Sequence, residues 1–171
     1  MTAAPLAETP LRDADALYLR RAIELSAQAG ARGNRPFGAV VVSASGALLG
    51  EAPNDTAESG DCTGHAELRA ISAASRAHPR DAFAGATVYA SGEPCVMCSG
   101  AIFWSGARRV VFGIDAVRLR DFRQLRAGSA DLEWSCREIF ARSPEPIEVL
   151  GPALLDEASA PHRAFWSQGG S

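Results

Sequence analysis

The chain has no lysine: all 17 of its basic residues are arginines. Aromatic residues make up only 7% of the 171 positions, so alanine and small aliphatics must fill most of the interior. No basic excess exists either, since the formal net charge is -3 and the arginines alternate with acids, as in RLRDFRQLR over 118–126. A protein that grips a nucleic-acid backbone usually shows a basic patch or stripe, so a large RNA or DNA partner is disfavoured. No apolar run approaches the roughly 18 residues of a membrane span. The first residues, MTAAPLAETPLRDADA, lack a basic stretch followed by an apolar core, which excludes a secretory signal there. Only four cysteines occur. Without a secretory leader they point to a reducing, cytoplasmic setting, where paired cysteines are metal ligands more often than disulfides.

What is present suits one domain with an ordinary core, because 47% of residues are hydrophobic. We expect a disordered leader over 1–11, one domain over 12–166 and a short tail over 167–171. Helical spacing of apolar residues predicts a helix from Asp13 to about Ala31. GAVVVSASGALLGEA (38–52) reads as a β-hairpin about a Ser-Gly turn, and 53–64 as a loop. A helix is expected over Thr63–Ala77, a strand over 86–91 and a helix from Cys95 to about Ser105, opened by Pro94. Further strands are expected at 108–114 and 146–151. Helices are expected over Val117–Arg126 and over 152–166, the latter interrupted by Pro161; the segment 130–142 is ambiguous. A hairpin followed by strands alternating with helices is an α/β pattern. It places helices on both faces of a mixed sheet, antiparallel first and parallel after.

Two short stretches carry chemistry. TGHAELRAI (63–71) starts a helix with a histidine and a glutamate two residues apart, and SGEPCVMCSGAIFW (91–104) follows with a proline and two cysteines. His65, Cys95 and Cys98 make a zinc-ligand set: one imidazole and two thiolates. Cys95 and Cys98 share one helix face, and a helix N-terminus favours the thiolate. The fourth tetrahedral position is then free for water, whose pKa zinc lowers from about 15.7 to near 7. Glu67 leaves the helix start in a different direction from His65, so it can flank the metal and carry a proton. The competing reading is a structural zinc clip closed by a fourth ligand, Cys62 or Cys136. In the catalytic reading those two are inert buried thiols. A clip gives no reason for Glu67, which also argues against a non-catalytic zinc-stabilised binding module.

HAE (65–67) with EPCVMCSGAIFW (93–104) resembles the H-x-E…P-C-x-x-C signature of the zinc-dependent cytidine deaminase superfamily, over about Pro36–Gly113. The resemblance implies a three-layer α/β/α fold with a five-stranded mixed sheet, a Zn²⁺ cofactor, hydrolytic removal of an exocyclic amine from a nucleobase-like ring, and a homodimer. RPFGAVVV (35–42), PND (53–55) and CSGAIFW (98–104) are similar to guanine deaminases and their purine-deaminase relatives. tRNA adenosine deaminases share these motifs, and action on a cytosine-type base is a further alternative. Phe37 is then expected to stack on the heterocycle, or else to be an ordinary core residue. Asn54 is expected to read a base edge, or to form a turn. Trp104 is expected to wall the pocket or to pack between helix and sheet. Asp131 or Glu133 is expected to reach the substrate, with solvent exposure as the alternative. His162 is a weaker candidate for capping the pocket. IDAVRLRDFRQLRAG (114–128) matches no motif, so the reaction class is better specified than the substrate.

Overall fold

A computed structural model describes residues 6–123, 132 and 134–167. Five strands form one mixed sheet in the order β2-β1-β3-β4-β5: β1 Gly38–Val42, β2 Leu48–Pro53, β3 Thr87–Gly92, β4 Arg109–Ile114 and β5 Glu148–Leu150. β1 pairs antiparallel with β2 and β3, while β3, β4 and β5 run parallel. Among the described residues seven α-helices surround it: α1 Asp13–Ala31, α2 Thr56–Ser59, α3 Ala66–Ala77, α4 Val96–Ser105, α5 Ala116–Arg123, α6 Cys136–Phe140 and α7 Leu155–Ser167.

The period-two alternation of the strands builds two cores. Ala39, Val41, Val88, Ala90, Val110 and Phe112 face Ala66, Ala70, Ile71 and Ala74 of α3, Ile102 of α4 and Phe140 of α6. Val40, Val42, Tyr89, Val111 and Ile114 face Leu19, Ala22, Ile23 and Leu25 of α1 and Ala158 of α7. Both faces are covered, which is why the strands read as near-continuous apolar runs. With few aromatics, the layers must lie close. A Cβ on Gly38 would fall 2.2 Å from the Ala22 carbonyl oxygen, and one on Gly50 would fall 2.7 Å from that of Ala70.

Several expectations are corrected. The loop predicted over 53–64 contains the single turn α2, capped from outside by Asn34. The helix predicted from Thr63 starts at Ala66. Part of the ambiguous 130–142 segment is α6, with a capping box between Ser135 and Glu138. α7 runs through Pro161 without interruption. Ala158 and Ser159 before the proline, and His162, Phe165 and Trp166 after it, are buried, and that packing outweighs the one lost backbone bond. The second half of the expected leader lies against the domain: the Thr9 amide donates to the Pro152 carbonyl, and the Glu8 carboxylate accepts from the Leu155 amide.

One buried ion cluster ties α1 to the sheet. Asp15, 2% exposed, takes two hydrogen bonds from the Arg109 guanidinium at 2.6 and 2.9 Å and one from the Tyr89 hydroxyl at 2.9 Å. The Arg109 contact holds the Asp15 carboxyl down at about 2, against its burial. A depressed folded-state pKa stabilises above the unfolded value near 3.8, and that stability is lost as pH falls through about 2. The contribution is about 2–3 kcal/mol. Asp15→Asn is expected to melt lower at pH 7 and to show a flatter loss of stability between pH 5 and 2. Thermal melts across that range check it, and parallel acid limbs in the two proteins would contradict it.

Candidate functional site

α3 and α4 begin side by side on one face of the sheet, and each is preceded by a metal-ligand type. His65 (φ -70°, ψ 145°) and Cys95 (φ -69°, ψ 176°) occupy the N-cap positions in extended backbone. Such positions usually hold a Ser, Thr, Asp or Asn whose side chain folds back onto the helix. Neither side chain does so here. Both turn toward one point, joined by Cys98 from the first turn of α4. His65 Nδ1 lies 3.6 Å from Cys95 Sγ and 3.5 Å from Cys98 Sγ, and the two sulfurs are 3.6 Å apart.

That triangle has the size of a tetrahedral zinc face. With Zn–S near 2.3 Å and Zn–N near 2.0–2.1 Å, tetrahedral angles put the sulfurs about 3.8 Å apart and each sulfur about 3.6 Å from nitrogen. The electrostatics agree. The hydrogen bond from Cys98, with help from His65 and the Cys98 amide, pulls the Cys95 thiol down to about 4. Cys98 is driven far up by its bond to Cys95, by burial and by Glu67. The hydrogen bond with Cys95 raises His65. Without a cation the two sulfurs thus share one negative charge; holding both as thiolates takes a cation, and the three donors fit Zn²⁺. Among the described residues they form the one such cluster of three, and Cys62 and Cys136 stand outside it.

Glu67, in the first turn of α3, is 6% exposed, and its Oε2 lies 3.4 Å from Cys98 Sγ. Burial, then the Cys95 thiolate, raises its carboxyl to about 7. Its place beside the three ligands, touching Cys98 without joining the triangle, suits a carboxyl that gives and takes one proton.

These groups open into a cleft of about 380 Å³. Phe37, just before β1, and Asn54, just after β2, line it. Asn54 is 2% exposed, and its Oδ1 accepts from both the amide (3.2 Å) and the hydroxyl (2.9 Å) of Thr56. An amide N–H can only donate, so Oδ1 must face Thr56, and Nδ2 is the atom left to donate elsewhere. The segment 54–64 is clamped at two points. Asn34 Oδ1 accepts from the Ala57 and Glu58 amides, and Arg69 bonds Asp55 at 3.0 Å and Asp61 at 3.1 Å.

Other expectations fare differently. Trp104 is 74% exposed and lies against Phe103, away from the cleft, because six residues after Cys98 turn it to the outer face of α4. Cys62 is not buried: it is exposed and lines the cleft. Cys136 is buried, and burial raises its thiol strongly. His162 stands behind the cleft, edge-on to Phe37 and stacked on Phe122, with burial lowering it to about 3. Asp131 and Glu133 lie outside the described residues. Sequence reasoning missed Arg35, Thr56, Glu93 and Arg123, which complete the wall. Of these only Glu93 carried a signal, as an acid directly preceding the Pro-Cys turn.

Residues 12–114 match the family model of the cytidine and deoxycytidylate deaminase zinc-binding region. The chain belongs to this deaminase family. It is a zinc-dependent hydrolytic deaminase, with His65, Cys95 and Cys98 placed to hold the ion. Its relatives include a probable cytosine deaminase of Schizosaccharomyces pombe, 41% identical over 96% of this chain and 99% of that protein. The guanine deaminase of Bacillus subtilis is 38% identical over 57% of this chain and 63% of its own. A solved guanine deaminase from Nitrosomonas europaea superposes with TM-score 0.72 at 25% identity, covering 97% of this chain and 90% of that one. Cys98→Ser is expected to drop bound zinc from about one per chain to near zero, while Cys62→Ser retains it. Metal analysis of the purified proteins decides between this set and one in which Cys62 is a fourth ligand.

Proposed function

We propose that the enzyme deaminates a free nucleobase in which the amino carbon, a ring nitrogen and a carbonyl are consecutive. Guanine is the purine of this class and cytosine the pyrimidine; adenine has no carbonyl. The observation that carries the reading is the orientation of Asn54. Its Oδ1 is committed to Thr56, so Nδ2 offers the cleft a donor, and a donor calls for an acceptor on the base edge. The motifs around Phe37, Asn54 and Cys98 favour guanine. The relative that matches along nearly its whole length, a probable cytosine deaminase, favours cytosine as the second reading. An isolated base also suits an acidic chain with interspersed charges better than a tRNA does.

Zinc, when bound, supplies Lewis-acid activation of a water. The chain's residues supply the rest. Phe37 offers a ring face against the heterocycle, where stacking contributes about 1–3 kcal/mol, and Asn54 fixes which edge points inward. Glu67 takes one proton from the attacking water and passes it to the ring nitrogen beside the amino carbon. The ring nitrogen that receives it is the one without a hydrogen; Glu67 takes the second proton as the carbonyl forms and gives it to the departing amine. The balance is one water consumed and one ammonia released.

Glu67→Ala is expected to keep its zinc and lose at least about 10²–10⁴-fold in turnover. The check is ammonia release from guanine, cytosine, adenine, adenosine and an anticodon stem-loop, read beside metal content. Release from guanine or cytosine alone is the expected pattern, and release from the stem-loop alone would overturn the substrate reading.

A homodimer is part of the same reading, and α4 supports it. A helix apolar on all sides is normally covered on all sides, yet Met97 and Trp104 are exposed and a Cβ added at Gly100 would meet nothing within 4 Å. The outer face of α4 is therefore the surface on which a second copy docks. Trp104→Glu is expected to convert a dimer to a monomer in light scattering. A monomeric wild type refutes the docking.

A further inference from the structure

Glu93 ends the link from β3 to the metal turn, two residues before Cys95. It is 9% exposed, and three donors converge on it. Oε1 accepts from the Ser135 hydroxyl at 2.6 Å and the Cys136 amide at 3.0 Å; Oε2 accepts from the Ala116 amide at 2.9 Å. Those amides open α6 and α5. One carboxylate thus satisfies backbone donors at the starts of two helices that are 20 residues apart in the chain, and it favours both helix dipoles. Its own amide is tied down by donation to the Ile114 carbonyl.

The helices so anchored bear on the cleft. Leu119 of α5 packs over Gly92 next to Phe37: a Cβ there would lie 2.9 Å from Phe37 Cε1 and 3.1 Å from Leu119 Cδ1. One turn further along, Arg123 enters the cleft wall with its guanidinium 5.8 Å from the Phe37 ring centre. α6 in turn holds the end of the sheet, through Arg137 bonds to the Val149 and Gly151 carbonyls.

We propose that Glu93 is a positioning residue of the deaminase site: its carboxylate docks α5 and α6 onto the metal turn and so fixes the Phe37–Arg123 wall against which the base lies. The substrate side of this inference rests on the function proposed above; the docking does not. Both oxygens must accept, so glutamine is the discriminating replacement. Its single carbonyl oxygen can keep the α6 donors, but its NH₂ then meets the Ala116 N–H, donor against donor. α5 is the helix released.

The experiment compares the wild type and Glu93→Gln by zinc content, amide hydrogen exchange and steady-state kinetics on the base that the wild type turns over. The variant is expected to hold one zinc per chain. Exchange should quicken over 116–123 while β1, β3 and β4 keep their protection. KM should rise about tenfold with kcat changed less than about threefold, because positioning is lost while the reacting groups are intact. Unchanged exchange over 116–123 overturns the docking. Faster exchange with unaltered KM overturns the link to the substrate wall, leaving only a stabilising contact. Loss of zinc with loss of kcat overturns it too, since Glu93 then acts through Cys95. A wild type inactive on every base sinks the deamination reading instead, and the exchange result still decides the docking. If Glu93→Gln fails to fold, Glu93→Asp, which keeps the charge but withdraws both oxygens by one methylene, must quicken exchange over 116–123 or the docking fails.

Discussion

Two sulfurs and an imidazole nitrogen held within 3.6 Å of one another are the constraint around which this molecule is built. In water, thiolates so close repel, and buried ones keep a proton between them. The triangle persists because three separate chain features point at it: the extended residue before α3, the extended residue before α4 and the first turn of α4. Each helix start contributes unpaired N–H groups and a positive dipole end, which favours anionic sulfur. Small residues let these helices approach the sheet, and close layers bring the two starts together.

The cleft is an arrangement of clamps around that triangle. Asn34 and Arg69 fix the 54–64 segment, Thr56 fixes the Asn54 amide, and Glu93 fixes α5 and α6. None of these polar groups needs to touch a substrate to affect it. Asn34, Asn54 and Glu93 are buried and meet donors that burial would otherwise leave unmet, at about 1–3 kcal/mol for each orphaned group, whereas the Arg69 pairs are partly exposed and contribute less. Apart from the Asp15–Tyr89–Arg109 cluster, these polar contacts gather at one end of the sheet, at the carboxyl end of β3, where open α/β sheets place their ligands. Glu67 gains its raised pKa from the same burial.

Local chemistry made much of this legible in the sequence. The Pro-Cys-x-x-Cys turn and the His-x-Glu pair have fixed helical spacings, so the three metal-ligand types and the acid beside them could be read from residue order alone. Strand positions followed from β-branched runs, and α1, α3 and α4 from apolar periodicity. Tertiary structure decided the rest. Trp104 lies on the ligand-bearing helix, yet the helix's rotation against the sheet turns it outward. Cys62 looks like any buried thiol until the loop is folded over the cleft. Pro161 should break a helix by local rules, and packing of α7 overrides it. Glu93 bonds to residues more than twenty positions away on each of two segments, and no short-range pattern encodes such a meeting. Sequence determines which groups stand within one helical turn of each other; contacts across the sheet exist only once burial has chosen which elements share a face.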